Sequence, residues 1–481
     1  MAEKSMQYEA VIGLEVHVQL KTKSKMFCGC ATEFGAEPNT HVCPVCLGYP
    51  GVLPLMNIEA VKKTILTGLM IGSEVSRLSK WDRKNYFYPD MPKNYQISQY
   101  DLPLCTKGLV EIKLETGGTK KIGIIRAHLE EDVARNYHFE TNSGVDFNRA
   151  GTPLMEIVSE PDIRSPDEAF AYLTTLKEIL ISGDISDCDM EKGQLRCDSN
   201  VSVRPVGQKQ FGEKIEIKNM NTISGVRRAL AYEIQRQTAA LQKGEKLSQE
   251  TRRWDDATGR TSVMRTKEYA HDYRYFPEPD LMPVVVGNEL IADVRKRLPE
   301  LPEARRQRFM KQYGLPEYDA EVLVADGTQA AFYEQAAQAS NNPKAISNWV
   351  MTELLGKLGE SKMTIGQCPI QPKDLAELVR LIDTNQISGK IAKEIFAEMF
   401  ISGRSPSAIV KEKGLVQVSD SGALERFVEE AIANNPKSVA DFRAGNEGAI
   451  NFLKGQIMKL SKGKANPQRV GEILLRKLKG G

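Results

Sequence analysis

Residues 11–20, Val-Ile-Gly-Leu-Glu-Val-His-Val-Gln-Leu, alternate between two kinds of side chain. Ile12, Leu14, Val16, Val18 and Leu20 fall on one side, and Gly13, Glu15, His17 and Gln19 on the other. A period of two is that of a half-buried β-strand, whose successive side chains leave opposite faces of a sheet. The segment therefore commits the chain to a sheet with one aliphatic, covered face. On the other face it sets a carboxylate and an imidazole side by side, a pair suited to a proton or a hard cation.

Other segments follow the same logic. In 125–132, an extended chain puts Arg126, His128, Glu130 and Asp132 on one face. In 195–204, one face carries Arg196, Asp198, Asn200, Ser202 and Arg204. In 214–218, Lys214, Glu216 and Lys218 alternate with Ile215 and Ile217. The run Pro153-Leu-Met-Glu156-Ile-Val places a carboxylate where solvent is least expected. Carboxylates with an imidazole suit Mg²⁺ or Mn²⁺, which prefer oxygen ligands. Arginines and lysines on the same strands suit phosphate oxygens. Together they describe a nucleotide-phosphate site on an open sheet, built without a P-loop, since no G-x-x-x-x-G-K-[ST] occurs. For any one strand the plainer alternative is a solvated sheet surface, and periodicity alone does not decide between them.

Four of the eight cysteines crowd into residues 28–46, as Cys28-Gly-Cys30 and Cys43-Pro-Val-Cys46. Two close pairs of thiolates suit a tetrahedral structural zinc, and a closed four-sulfur shell leaves no open position for catalysis. The alternative is four free thiols, buried or reactive.

The remaining organisation bounds the answer. No apolar run approaches the length of a membrane span, and the N-terminal Met-Ala-Glu-Lys-Ser-Met has no signal core, so a cytoplasmic protein without membrane contact is expected. A net charge of +2 excludes a general polycation, so any nucleic-acid contact must be local. The chain divides by pattern into a strand-rich region 1–296 with the cysteine knuckles inserted at 28–46, a helical region 297–405, and a helical tail 406–481. Ser165-Pro166-Asp167-Glu168 predicts a helix start, with Ala169, Leu173, Leu176 and Leu180 as its buried stripe. The stretch 452–481 holds eight Lys or Arg residues against one acid, Glu472, a basic patch suited to a phosphate backbone. No glutaminase context surrounds any cysteine and no amidase signature is present, so ammonia chemistry would need a second polypeptide.

Five motifs act as a set: Val11-Ile-Gly-Leu-Glu-Val-His-Val, Trp81-Asp-Arg-Lys-Asn-Tyr-Phe-Tyr-Pro-Asp90, Asn148-Arg-Ala-Gly-Thr-Pro-Leu-Met-Glu156, Asp272-Tyr-Arg-Tyr-Phe-Pro-Glu-Pro-Asp280 and Gly463-Lys-Ala-Asn-Pro467. They resemble the B subunits of the bacterial GatCAB aspartyl/glutamyl-tRNA amidotransferases, nearly end to end. The cysteine quartet matches zinc-bearing members. After Glu130-Glu-Asp132 the chain reads Val-Ala-Arg where many relatives have Ala-Gly-Lys.

The resemblance implies an α+β fold: a mixed-sheet cradle domain similar to glutamine synthetase, an all-α helical domain, and a small α-helical tail of the YqeY type. It implies transamidation of misacylated Glu-tRNA(Gln) or Asp-tRNA(Asn), with ATP activating the side-chain carboxylate. The A subunit of such a complex, an amidase, supplies ammonia from glutamine, and the small C subunit joins the two large ones. Carried over by motif, Glu15, His17, Glu130 and Glu156 are expected as Mg²⁺ ligands, with Asp198 a fifth candidate. Lys84 and Glu131 resemble residues that line or gate an ammonia channel. We add Arg196, Arg204, Lys218 and Arg274 as expected phosphate contacts. Lys459, Lys462, Lys464 and Arg469 are expected to hold the tRNA body, and Cys28, Cys30, Cys43 and Cys46 the Zn²⁺. A small-molecule carboxylate–ammonia ligase would explain the charged sheet but not the basic tail. A zinc- and RNA-binding scaffold would explain the cysteines and tail but not Glu156.

Overall fold

The alternating segment forms strand Tyr8–Gln19, in which Ile12, Leu14, Val16 and Val18 are buried while Glu15, His17 and Gln19 are partly exposed. In this computed structural model, residues 7–266, 273–415, 421–444, 446–461, 465 and 467–479 are described. They fall into two compact units, 1–302 and 303–481.

The first unit is built on a nine-stranded sheet. Its order is Arg260–Thr266, Glu250–Asp255, Ile215–Met220, Leu195–Pro205, Tyr8–Gln19, Pro153–Ser159, Thr119–Glu131, Cys105–Lys113 and Glu74–Val75. Neighbours are antiparallel except Ile215–Met220 with Glu250–Asp255, which run parallel, so the sheet is mixed. Strand Tyr8–Gln19 lies at its centre although it comes first in sequence.

One face of the sheet is apolar and covered by helices. Leu14, Val16, Leu129, Met155, Ile157, Val201 and Ile217 join residues of helices Ile58–Met70, Pro166–Ser182 and Ile223–Gln242 in one core. Helix Pro166–Ser182 begins as its sequence predicts. The Ser165 hydroxyl accepts the Glu168 amide at 3.1 Å, satisfying a donor the helix itself leaves free. The Glu168 carboxylate reaches back to the Arg164 amide at 2.7 Å. Ala169, Leu173, Leu176 and Leu180 are all buried in the core. The other face stays polar. A three-stranded sheet, Phe276–Pro277, Asp82–Asn85 and Tyr95–Ser98, meets the end of strand Thr119–Glu131 through side-chain hydrogen bonds from Gln96 and Ser98.

The second unit is helical and contains two separate cores. Phe309, Tyr333, Leu354, Leu378 and Phe396 lie in the first, and Leu424, Val428, Leu453, Ile457 and Leu474 in the second. Helix Pro406–Lys413, placed by sequence pattern in the tail, contributes Ile409 and Val410 to the first core. No helix among the described residues is long and apolar enough to cross a membrane.

Candidate functional site

The polar face of the first unit is ordered by strand register. Arg196 lies opposite His17, His17 opposite Glu156, and Glu156 opposite His128. On one side the next row is Asp198, Glu15, Val158 and Arg126; on the other it is Gln19, Leu154 and Glu130. Residues that face each other across strands share a face and approach closely. His17 Nε2 is accordingly 3.3 Å from Glu156 Oε2 and 3.9 Å from Glu130 Oε1. Glu156 also meets Arg126 Nη2 at 3.6 Å and His128 Nε2 at 3.9 Å. Ser98 Oγ donates to Glu130 Oε2 at 3.3 Å.

The charges explain what this cluster accepts. Burial alone would push the Glu156 carboxyl up, but His128 and His17 hold it well below the usual carboxylate range. Burial disfavours a charged His17, yet Glu156 and Glu130 outweigh it and raise its pKa. Burial, and then the Glu156 charge, raise Glu15. Burial lowers His128, whose Nδ1 has no hydrogen-bond partner among the described residues. Burial would also lower Lys84, but the Glu130 and Glu156 charges with Tyr275 and Tyr273 together outweigh it and raise the pKa. The site thus gathers more negative charge than its fixed cations offset. His17, Glu130 and Glu156 each present one ligand atom, all within 4.8 Å of one another. Two carboxylates and an imidazole fit a divalent ion with oxygen preference.

The structure brings some expected residues together and separates others. Glu15 lies one row from His17, its carboxylate accepting Asn200 Nδ2 at 2.8 Å. Asp198 accepts a hydrogen bond from Lys218, whose Nζ also lies 3.0 Å from Glu216 Oε1. Arg196 reaches Asp132 Oδ1 with Nη2 at 2.8 Å, and its Nε has no hydrogen-bond partner among the described residues. Arg204 stands far along the same strand, opposite Glu9, and donates to that carboxylate at 2.8 Å. It lies six residues beyond Asp198, about 20 Å at the rise of a strand. Arg274 is exposed, and its backbone carbonyl accepts Asn85 Nδ2 at 2.8 Å.

Lys84 and Glu131 lie on different sides of the strand. Lys84 Nζ sits 5.0 Å from the centre of the Tyr273 ring, on the Glu130 side. Glu131 turns to the opposite face, where its carboxylate accepts a hydrogen bond from Lys93 and another from the Ile97 amide at 2.9 Å. There it borders a cavity of about 200 Å³ with Lys25, Cys46, Lys93, Ile97 and Gly151.

The four cysteines of the insertion converge, with their sulfurs within 4.8 Å of one another and Cys43 Sγ 3.9 Å from Cys46 Sγ. Metal–sulfur bonds of about 2.3 Å in a tetrahedron put sulfurs roughly 3.8 Å apart, so the quartet fits zinc. In the second unit, Lys459 is exposed near the end of helix Ala449–Leu460, and Arg469 is exposed on helix Pro467–Leu478. Lys462 and Lys464 lie outside the described residues. Arg476 and Lys477 pair with Glu425 and Glu429, which removes two cations from the basic patch.

Sequence reasoning missed two contributors, Ser98 and Lys93, and gave Asp132, which it placed on the charged face, no role. Asp132 accepts Gln19 Nε2 at 2.7 Å and lies 3.8 Å from Arg149 Nε, in addition to Arg196, so it anchors the edge of the site. Its place on the Glu130 face was already visible in the alternation. Ser98 and Lys93 come from the small sheet and its approach, where no periodicity pointed to them.

The arrangement is a carboxylate-lined face on an open sheet, and the sequence places it within a known class. Residues 10–292 match the GatB/GatE catalytic domain, and residues 331–478 match the GatB domain. The chain belongs to the GatB/GatE family. Among its relatives is the B subunit of the aspartyl/glutamyl-tRNA(Asn/Gln) amidotransferase of Caldanaerobacter subterraneus, 55% identical over 474 residues, covering 98% of this chain and all of the relative. The B subunits of the same name from Methylacidiphilum infernorum and Carboxydothermus hydrogenoformans are each 55% identical, covering 98% of this chain and 99% of theirs.

Proposed function

We propose that the chain works as the B subunit of a glutamine-dependent tRNA amidotransferase, converting misacylated Glu-tRNA(Gln), Asp-tRNA(Asn) or both to the amides. The observation that carries this reading is the His17–Glu130–Glu156 cluster on the open sheet, in a chain whose full-length relatives bear that name.

The chemistry explains the residues. A carboxylate repels an amine, so it must first be given a leaving group. Its oxygen attacks the γ-phosphorus of ATP, ADP departs, and an acyl phosphate forms. Ammonia then attacks the carbonyl carbon, and phosphate leaves. Glu15, His17, Glu130 and Glu156, with Asp198 beside them, would hold Mg²⁺, which supplies charge neutralisation at the phosphates. Arg196, fixed by Asp132, and Lys218, fixed by Asp198 and Glu216, offer cations for phosphate oxygens at the rim. Arg204 and Arg274 have weaker claims, the first because Glu9 takes its charge at a distance from the cluster. A polar sheet face backed by a covered one supports the comparison with the glutamine synthetase cradle, whose task also begins with a carboxylate.

Ammonia must arrive unprotonated and out of contact with water. The cavity against Glu131 supports a passage that ends near Lys84 and Glu130, fed by the amidase partner and completed with the small C subunit. The exposed Lys459 and Arg469 support a tRNA-binding role for the tail. Zn²⁺ in the cysteine quartet would hold residues 28–46 together.

The test is amide formation by the purified chain with its amidase and small partner polypeptides, ATP, Mg²⁺ and glutamine. Glu-tRNA(Gln) or Asp-tRNA(Asn) should be converted and free glutamate should not. Conversion of free glutamate at a comparable rate would replace this reading with a small-molecule ligase.

A further inference from the structure

Lys25 is a fully buried lysine, 0% exposed. Its Nζ has two polar neighbours within hydrogen-bond distance: Cys46 Sγ at 3.5 Å and the Phe147 carbonyl oxygen at 3.2 Å. Among the described residues it forms no ion pair with a carboxylate. The acid across the cavity, Glu131, is engaged by Lys93. A buried ammonium without an anionic partner is costly, commonly by several kcal/mol. Among the described residues, the group within hydrogen-bond distance of its Nζ that can carry the opposite charge is the Cys46 sulfur.

The backbone is shaped to keep it there. The Lys25 amide donates to the Cys30 carbonyl at 2.9 Å, tying it to the first knuckle. Gly151 has φ +84°, and a Cβ on it would lie 3.4 Å from Lys25 Cδ and 3.5 Å from Cys46 Cβ. The lysine stem and the second knuckle thus both pack at van der Waals distance against this turn, whose positive φ favours glycine.

Four thiolates around a divalent ion carry a formal charge of about −2. We propose that Lys25 is the buried countercation of the cysteine centre. Its ammonium donates to the Cys46 sulfur and brings the net charge of the assembly to about −1, strengthening metal retention. This rests on the reading of the quartet as a zinc site. It adds a positioning residue outside the four ligands, joined through a shared cavity wall to Glu131.

The experiment uses the full chain loaded with zinc. Metal content is measured first, and affinity is then read by competition with a chromogenic chelator, for wild type and Lys25→Met. The expected result is one zinc per chain and an affinity about 10–100-fold lower in the variant. Lys25→Gln, which keeps a donor for the Phe147 carbonyl without the charge, should show a similar loss. If either variant that folds retains zinc within about twofold of wild type, the countercation role is overturned while the zinc site stands. Absence of bound zinc in wild type overturns both.

Discussion

Glu130 and Glu131 are neighbours in sequence and point to opposite faces of one strand, the first toward His17 and Ser98, the second toward Lys93 and the Ile97 amide. Consecutive strand residues must diverge in this way. The same pair of residues therefore meets two different environments on two sides of the sheet.

On the polar side, Glu130→Gln keeps the shape and removes a charge. Amide formation should fall at least about 100-fold, as for loss of other charge-stabilising groups in active sites. Thermal unfolding should change little, since Ser98 can still donate to the amide oxygen. Steady-state rates beside a melting curve check both halves.

On the covered side, Glu131→Gln should spare activation and damage delivery. ATP hydrolysis dependent on the misacylated tRNA should stay within about threefold, a change of under 1 kcal/mol. Amide formation from glutamine should drop well below that from added ammonium chloride. Equal losses with both donors would place Glu131 in the activation step instead.

Asp132 gives an acid-stability signature. Burial would raise its pKa, but Arg196 and Arg149 pull it below its ordinary value of 3.8. The folded state then binds fewer protons than the unfolded one. The contribution is complete above the unfolded value, near 3.8, and is lost as pH falls through the lower folded value. Asp132→Asn should cost about 3 kcal/mol at pH 7, the scale of breaking a buried pair, and progressively less as pH falls below 3.8. Denaturant unfolding at several pH values tests this.

A purely structural prediction concerns Ser165. Replacing it by alanine removes the acceptor for the Glu168 amide and should cost about 1 kcal/mol. Urea unfolding should show a lower midpoint with an unchanged slope, and catalytic constants should hold, since the helix lies on the covered face.

Much of the site was legible because its strands alternate. Period two was enough to put Glu15 with His17, Glu130 with His128, and Arg196 with Asp198. The apolar run around Glu156 signalled its burial, and the structure leaves it 7% exposed. The pattern could not supply adjacency between strands. Whether Asp198 faced Glu15 or stood elsewhere depends on pairing between residues nearly 200 positions apart, which is a tertiary matter. It also could not reveal that Lys218 would engage Asp198, or that Glu9 would engage Arg204. The opposite facing of Glu130 and Glu131 was present in the alternation and needed only to be drawn. Lys25 was hidden for another reason: it sits in an irregular segment, and lysines are rarely buried.

The row Arg196, His17, Glu156, His128 draws one residue from each of four strands that are scattered along the first two hundred residues. None of those strands contains it alone, and a slip of one residue in any of the three pairings would turn a member of the row toward the helices. The row is complete only when all three strand pairings stand in register. A chain with any one of these pairings unmade would have no such row.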